Sequence, residues 1–224
     1  MPPPHLLLLP SPFLGPAPYE PVAAALSSRG YAASVAPSPA SPVAADLVAS
    51  WGTLAAELGD VVVVPHSNAG YLAPAVSATT GAPVVFVDAA LPAGPGPTRL
   101  APPAFRSHLA TLAGPDGRLP RWTRWWPRED VTAVLPDPWF ERLDAGLPEL
   151  PLSYVDDAVP VPTGWQDGRC AYLAFGSTYA DELDVAVRHG WPHRRLDGAG
   201  HLHLLVEADE TAAAVAGLVE LVVD

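Results

Sequence analysis

Short apolar runs alternate with amphipathic stretches along most of this chain. Residues 61–64 are four consecutive valines, and residues 5–9 are His followed by four leucines. Continuous apolar runs of this length are typical of strands that are buried on both faces. The predicted strands cover residues 5–9, 32–36, 61–64, 83–87, 170–175 and 194–196.

The amphipathic stretches between these runs predict helices. They cover residues 20–28, 44–58, 70–80, 181–189 and 209–223. Glycine follows the first four of them closely, at the place where a helix must stop. Strands alternating with helices predict an α/β fold, in which helices flank a mostly parallel central sheet.

This alternation breaks down between residues 91 and 168, where proline is frequent and apolar periodicity is weak. We expect residues 1–90 and 169–224 to form the core of one domain, with residues 91–168 inserted as a helical lid. Short helices are predicted at residues 105–113 and 138–143, and another is predicted to start at 127–130. The segment contains five tryptophans, which argues against disorder. They are Trp122, Trp125, Trp126, Trp139 and Trp165.

Charge restricts the classes of partner. The 224 residues carry a formal charge of -12, and the 12 basic residues are all dispersed arginines. Such a chain repels phosphates and anionic lipid, so we expect neither nucleic acid nor membrane as a partner, and a small-molecule substrate instead. The apolar run at residues 6–9 is too short to span a membrane and lacks the basic start of a signal peptide, which favours a cytoplasmic protein. The sequence does not indicate the oligomeric state.

Cysteine and histidine give no sign of a metal or cofactor. The single Cys170 lies in an apolar run and is expected to pack in the core. His5, His108, His189 and His193 lie where surface or packing roles are expected. We therefore expect no metal and no cofactor.

The valine run leads directly into a turn of small residues around Ser67. A tight strand-to-helix turn lifts a serine hydroxyl above the sheet and requires small neighbours, which Ala69 and Gly70 provide. Pro65 departs from the glycine that usually opens such a turn. The turn predicts a nucleophilic serine, although an ordinary loop that contains a serine fits the same residues.

A serine nucleophile needs an imidazole to accept its proton. His201 follows Gly200 directly after the last predicted strand, and is the expected base. His203, two residues later, is the alternative. His66 is expected to support the site from beside the nucleophile.

The turn around Ser67, the Gly200-His201 turn, and the order of serine before histidine resemble the α/β-hydrolase superfamily. The resemblance covers nearly the whole chain. It implies the α/β-hydrolase fold and an enzyme of the serine hydrolase type.

This resemblance leaves the triad acid open. The family usually places it a few residues after the strand that is here 170–175, but Tyr179 stands at that position and Asp181 follows two residues later. Some members supply the acid from the end of the earlier strand, where Asp88 lies. The resemblance implies Asp88 or Asp181, and Asp181 is also a suitable cap for the helix that it begins.

The resemblance also implies an oxyanion hole, with one amide from Asn68 and another from the loop after the first strand. Pro12 in that loop has no amide to donate. Phe13 would then donate, or the Ser11 hydroxyl would assist, or the hole would be incomplete. An incomplete hole keeps non-hydrolytic chemistry open.

Trp122, Trp125 and Trp126 offer flat apolar surface with Arg121 and Arg124 interleaved. This pattern predicts an aromatic substrate that carries an acidic group. Tyr179 joins these tryptophans as an expected substrate contact. The tryptophans could instead pack the lid onto the sheet.

Three functions follow from these residues. The first is a serine-dependent hydrolase of an ester, lactone or thioester in a small apolar or aromatic molecule, such as bacterial specialised metabolism uses. The second is a lyase, cyclase or isomerase that uses Ser67 and His201 as an acid-base pair. The third is a small-molecule binding protein with a relic active site.

Overall fold

The computed structural model describes residues 2–39, 42–94, 96–137 and 139–223. The strands in these residues are β1 (His5–Leu9), β2 (Ala33–Val35), β3 (Val61–Ser67), β4 (Val84–Ala89), β5 (Gly96–Arg99), β6 (Ala158–Val161), β7 (Cys170–Phe175) and β8 (His193–Leu196). Six of them form one sheet in the order β2-β1-β3-β4-β7-β8, and every neighbouring pair is parallel. The predicted α/β fold with a parallel central sheet is confirmed.

Helices connect and flank these strands. The α-helices are α1 (Glu20–Ser28), α2 (Ala44–Leu58), α3 (Ala73–Ser77), α4 (Pro103–Leu112), α5 (Arg128–Val134), α6 (Trp139–Gly146), α7 (Ala180–Arg188), α8 (His203–Val206) and α9 (Ala208–Val223). Single turns of 3-10 helix occur at Ala17–Tyr19, Asn68–Tyr71, Trp122–Arg124, Leu152–Asp156 and Trp165–Asp167. None of the helices in the described residues combines the length and apolar character that a membrane span needs.

The central strands form the core. Every residue of β3, β4 and β7 is buried, which is why these strands are continuous apolar runs. The carboxyl ends of parallel strands meet at one edge of a sheet, where open α/β sheets bind their ligands. Residues at the ends of β3, β4, β7 and β8 are therefore neighbours in space although they are distant in sequence.

Two predicted elements differ from the structure near Ser67. Strand β3 continues past Val64 through Pro65 to Ser67, and Pro65 is still paired with Leu9 of β1. The helix predicted at residues 70–80 is instead a 3-10 turn followed by the short α3. Pro74 explains this break, since it has no N–H to donate to the preceding turn.

The predicted lid, residues 91–168, contains α4, α5, α6 and the antiparallel pair β5 and β6. The pair β5 and β6 was not predicted, and neither was α8. Helices α4 and α5 agree with the predicted positions within two residues. Helix α6 extends beyond the predicted residue 143 to Gly146, and Pro138 at its predicted start lies outside the described residues.

Candidate functional site

Ser67 is the last residue of β3 and has a strained backbone. Its φ of 56° and ψ of -129° lie outside the regions that serine ordinarily adopts. A methyl group added at Gly70 would lie 2.0 Å from the backbone oxygen of Ala90, so only glycine lets this turn approach the next strand. Strain of this kind is characteristic of functional turns, including the elbow that presents a nucleophilic serine.

His201 lies in the turn after β8 and is hydrogen-bonded to Asp88 at the end of β4. The distance between His201 Nδ1 and Asp88 Oδ2 is 2.6 Å. Both side chains are buried, and Asp88 has no exposed surface. Because the carboxylate accepts, the proton of a neutral imidazole lies on Nδ1 and leaves Nε2 free to accept another.

The backbone conformation of residue 88 and a hydrogen bond from a backbone amide place the Asp88 carboxylate. Its φ of 40° places it in the left-handed region, which Asp and Asn tolerate better than most residues. Its other oxygen, Oδ1, accepts a hydrogen bond from the Phe175 amide at 2.9 Å. One carboxylate therefore connects the ends of β4 and β7 to the His201 imidazole.

The other candidates for the acid and the base, Asp181 and His203, do not take part in this hydrogen bond. Asp181 is exposed in the first turn of α7, and the residue that caps this helix is Tyr179 rather than Asp181. His203 begins α8, where its Nε2 is 2.9 Å from Glu210. Of the alternatives that the sequence left open, the structure brings Asp88 and His201 together.

Ser67 and His201 line the same cavity. The hydrogen bonds of the described residues include none between the two side chains, and such bonds are often long before substrate binds. Tyr179 is a further neighbour of the Ser67 hydroxyl. Burial raises the pKa of the Tyr179 phenol, and the nearby Ser67 hydroxyl acts in the opposite direction.

The loop after β1 leaves one amide free beside this cavity. The Ser11 amide donates to the Tyr19 hydroxyl at 2.8 Å, and the amides of Leu14 and Gly15 donate to the Ser11 carbonyl. Phe13 lines the cavity, and its amide is not a donor in any hydrogen bond of the described residues. The Ser11 hydroxyl is buried and has no hydrogen-bond partner within the part of the chain that the structure describes, but Ser11 does not line the cavity.

Asn68 is fixed by its side chain, which leaves its amide at the start of a 3-10 turn. Its Nδ2 donates to the Leu100 carbonyl at 2.7 Å, and its Oδ1 accepts from the Tyr154 hydroxyl at 2.8 Å. The first amide of a helical turn has no partner within the turn. Asn68 and Phe13 both line the cavity that Ser67 lines.

His66 connects the loop after β1 to the loop of His201. Its Nε2 is 3.0 Å from the His201 carbonyl, which can only accept, so the proton lies on Nε2. Its Nδ1 then accepts from the Tyr19 hydroxyl at 2.8 Å. Burial lowers the pKa of His66 well below its ordinary value, and the nearby His201 lowers it further. His66 is therefore neutral, and its hydrogen bond to the His201 carbonyl supports the loop that carries His201.

His66, Asp88 and His201 also form a group whose ligand atoms lie within 4.8 Å of one another. Both ring nitrogens of His66 are used in hydrogen bonds, and His201 Nδ1 is bound to Asp88. A metal ion here would have to break these bonds. The group is explained by its hydrogen bonds.

The cavity has a volume of about 570 Å³ and extends from Ser67 and His201 to the predicted lid. The four expected substrate contacts all line it, namely Trp122, Trp125, Trp126 and Tyr179. Trp125 also packs edge-on against Phe13, with ring centroids 4.8 Å apart. Trp165 lies apart from the cavity and packs against Phe86 and Trp191.

The described arginines of the predicted lid do not line the cavity. Arg124 forms a bidentate pair with Asp144, and Arg121 lies 3.5 Å from the same carboxylate. The hydrogen bond with Arg124 is the main reason that the pKa of Asp144 falls to about 2. The predicted recognition of an acidic group by Arg121 and Arg124 is not supported, because Asp144 already pairs with them.

Two residues of the site were missed by sequence reasoning. Tyr154 holds the Asn68 side chain, and Glu182 lines the cavity from α7. Burial, followed by the charges of Asp181 and Asp88, raises the pKa of Glu182. No spacing or motif in the sequence identifies either residue, because each reaches the site only when segments that are distant in sequence come together in the fold.

Comparison with known proteins supports the fold. No family model matches the sequence, and no curated protein matches it significantly. Among solved structures, the chain is similar to an extracellular α/β-hydrolase from a Paenibacillus species, described as sharing structural and functional homology with tobacco salicylic acid binding protein 2, with a TM-score of 0.76 and 12% identity over 96% of this chain and 99% of that one. A pyrethroid hydrolase gives a TM-score of 0.73 and 14% identity over 97% and 98% of the two chains. Tomato methylketone synthase I in complex with 2-tridecanone gives 0.71 and 11% over 98% and 99%. At these identities the likeness shows the fold, and the predicted α/β-hydrolase fold is confirmed.

Proposed function

We propose that this protein is a serine hydrolase that cleaves an ester, lactone or thioester of a small apolar or aromatic molecule. The observation that carries the proposal is the buried 2.6 Å hydrogen bond from His201 Nδ1 to Asp88, which faces a cavity shared with the strained Ser67. It is the arrangement that a serine nucleophile requires of its base and its orienting acid. Structural neighbours that include a pyrethroid hydrolase support the same class of reaction.

In the proposed reaction, Ser67 Oγ attacks the substrate carbonyl carbon while His201 Nε2 takes the serine proton. Asp88 holds the imidazole and stabilises its protonated form. The amides of Asn68 and Phe13 donate to the oxyanion. When the tetrahedral intermediate collapses, the leaving alcohol or thiol takes the proton from His201 and an acyl-serine remains.

Water completes the cycle. His201 Nε2 accepts a proton from a water molecule, whose oxygen attacks the acyl carbon. The second tetrahedral intermediate expels Ser67 Oγ, which recovers its proton from His201. The product acid leaves, and the enzyme returns to its starting state.

A fluorophosphonate probe tests this proposal, because it reacts covalently only with an activated serine. The expected result is a single modified peptide containing Ser67, with no labelling of a folded Ser67→Ala variant. A Ser153→Ala variant is the control, since Ser153 is a serine of the lid that does not line the cavity. Folded wild-type protein that resists labelling over hours would refute the proposal.

A second candidate is a non-hydrolytic enzyme in which Ser67 and His201 exchange protons with the substrate and no acyl-serine forms. Pro12 in the loop after β1, which has no amide to donate to an oxyanion, favours this candidate. The similarity to a methylketone synthase is compatible with it. Mass spectrometry of enzyme quenched during turnover separates the two, because only the hydrolase accumulates an acylated Ser67.

A further inference from the structure

The cavity is acidic as well as aromatic. Its charged lining residues are Glu182 on α7 and Asp130 on α5. Among the lining residues that the structure describes, none is an arginine. Neither acid forms an ion pair with another described residue, whereas the lid carboxylate Asp144 pairs with two arginines.

Glu182 is the more informative of the two acids, because it is half-buried and lines the same cavity as Ser67 and His201. Its pKa is raised by burial and by the negative charges of Asp181 and Asp88. An unpaired carboxylate in such surroundings is destabilised in its charged form. A cation in the cavity would stabilise the charged Glu182 carboxylate, and a second anion would destabilise it further.

The walls of the cavity suit the same ligand. Trp122, Trp125 and Trp126 line it together with Tyr179, and the faces of such rings attract cations, most strongly for tryptophan. The formal charge of -12 for the whole chain adds a field of the same sign. Aromatic faces and one carboxylate together provide a chemical environment that binds alkylammonium groups.

We propose that the pocket selects esters that carry a quaternary ammonium or protonated amine, and discriminates against esters that carry a carboxylate, with Glu182 as the residue that sets this preference. This inference rests on the proposed hydrolase function. It replaces the acidic substrate group that the lid sequence predicts with a group of opposite charge.

Three 4-nitrophenyl esters of equal acyl length test the charge preference at pH 8, with acyl chains that end in trimethylammonium, tert-butyl or carboxylate. Trimethylammonium and tert-butyl have nearly the same shape, so their comparison isolates charge. We expect kcat/KM to fall in the order cation, neutral, anion, with about tenfold between the first two. Equal values for the cation and the neutral ester, or a preference for the carboxylate, would overturn the proposal.

Variants assign the preference to Glu182. In Glu182→Gln the ratio of kcat/KM for the cationic and neutral esters should fall by about tenfold. Asp184→Asn is the matched control, because it removes the same charge from an exposed position on the same helix that does not line the cavity, and it should keep the wild-type ratio. A ratio unchanged in Glu182→Gln, or lowered equally in Asp184→Asn, would contradict the role of Glu182. Glu182→Ala provides the same measurement if the glutamine variant does not fold.

An inhibition assay tests the charge preference without changing the acyl group of the ester substrate. Benzyltrimethylammonium should inhibit hydrolysis of the tert-butyl ester at least tenfold more strongly than phenylacetate does. Failure of this ranking, while Ser67 is still labelled and the tert-butyl ester is still cleaved, would remove the charge preference and leave the hydrolase function standing. Loss of both labelling and cleavage would instead remove the hydrolase function.

Discussion

Replacing Asp88 with Asn tests the orientation of the base with little change in shape. Asn tolerates the left-handed backbone of residue 88, whose φ is 40°. The Asn oxygen can still accept the hydrogen bond from the Phe175 amide, which now reaches Asp88 Oδ1 at 2.9 Å. The Asn amino group would then face His201 Nδ1 in place of the oxygen at 2.6 Å.

This exchange reverses the tautomer of His201. An amino group donates, so Nδ1 would have to accept and the imidazole proton would move to Nε2. With Nε2 protonated, His201 no longer accepts the proton of Ser67. Loss of the correct tautomer lowers the rate of serine hydrolases by about 10⁴, which corresponds to about 5.5 kcal/mol in the activation barrier.

The assay is kcat/KM for 4-nitrophenyl acetate, with circular dichroism and thermal unfolding to establish that each variant is folded. Asp181→Asn is the matched control, and its exposed position predicts kcat/KM within about twofold of wild type. If folded Asp88→Asn keeps more than about a tenth of the activity, Asp88 does not orient the base. If Asp181→Asn loses activity and Asp88→Asn does not, the acid has been assigned to the wrong residue.

Three further predictions concern stability. Tyr19→Phe removes a hydroxyl that bridges two buried groups, and urea unfolding should show a loss of about 2 to 4 kcal/mol; a loss below 1 kcal/mol would mean that water or a rearranged side chain takes its place. Burial lowers the pKa of His66, so below about pH 6.5 the unfolded chain gains a proton on this residue and the folded chain does not. The free energy of unfolding should therefore fall by up to about 1.4 kcal/mol per pH unit as the pH drops. A His66→Gln variant should lack that part of the slope, and an unchanged slope would contradict it. Gly70→Ala should destabilise by more than about 2 kcal/mol, because its methyl group would stand 2.0 Å from the Ala90 oxygen. Gly217→Ala, in open space on α9, should instead stabilise by about 0.5 to 1 kcal/mol, and calorimetry of the two variants compares them.

The sequence predicted the sheet and its main helices because their apolar runs are long and clearly bounded. The bounds of α1 and α2 agree with the prediction at both ends. The prediction was wrong where proline changes the local chemistry, as at Pro74, which divides the helix predicted after Ser67. The pair β5 and β6 was missed because its short, proline-containing strands have no apolar run.

The site was predictable only as far as local motifs extend. The turns around Ser67 and His201 are visible in the sequence because each is built from consecutive residues. The choice between Asp88 and Asp181 depends on strand order, since β4 lies between β3 and β7 and brings Asp88 to the imidazole. Glu182 could not be identified, because only the folded chain shows that it lines the cavity and has no cationic partner among the described residues.

The contact between Gly200 and the predicted lid joins one wall of the cavity to the turn that carries His201. A methyl group added at Gly200 would lie 2.9 Å from Val134 Cβ, so the turn that carries His201 rests directly on the end of α5. Any ligand bulky enough to push α5 outward also removes a support of that turn. If the proposed function is correct, we expect oversized substrates to lower the turnover number as well as the affinity. Directed evolution toward larger substrates should then first restore the packing under the histidine turn before it enlarges the cavity.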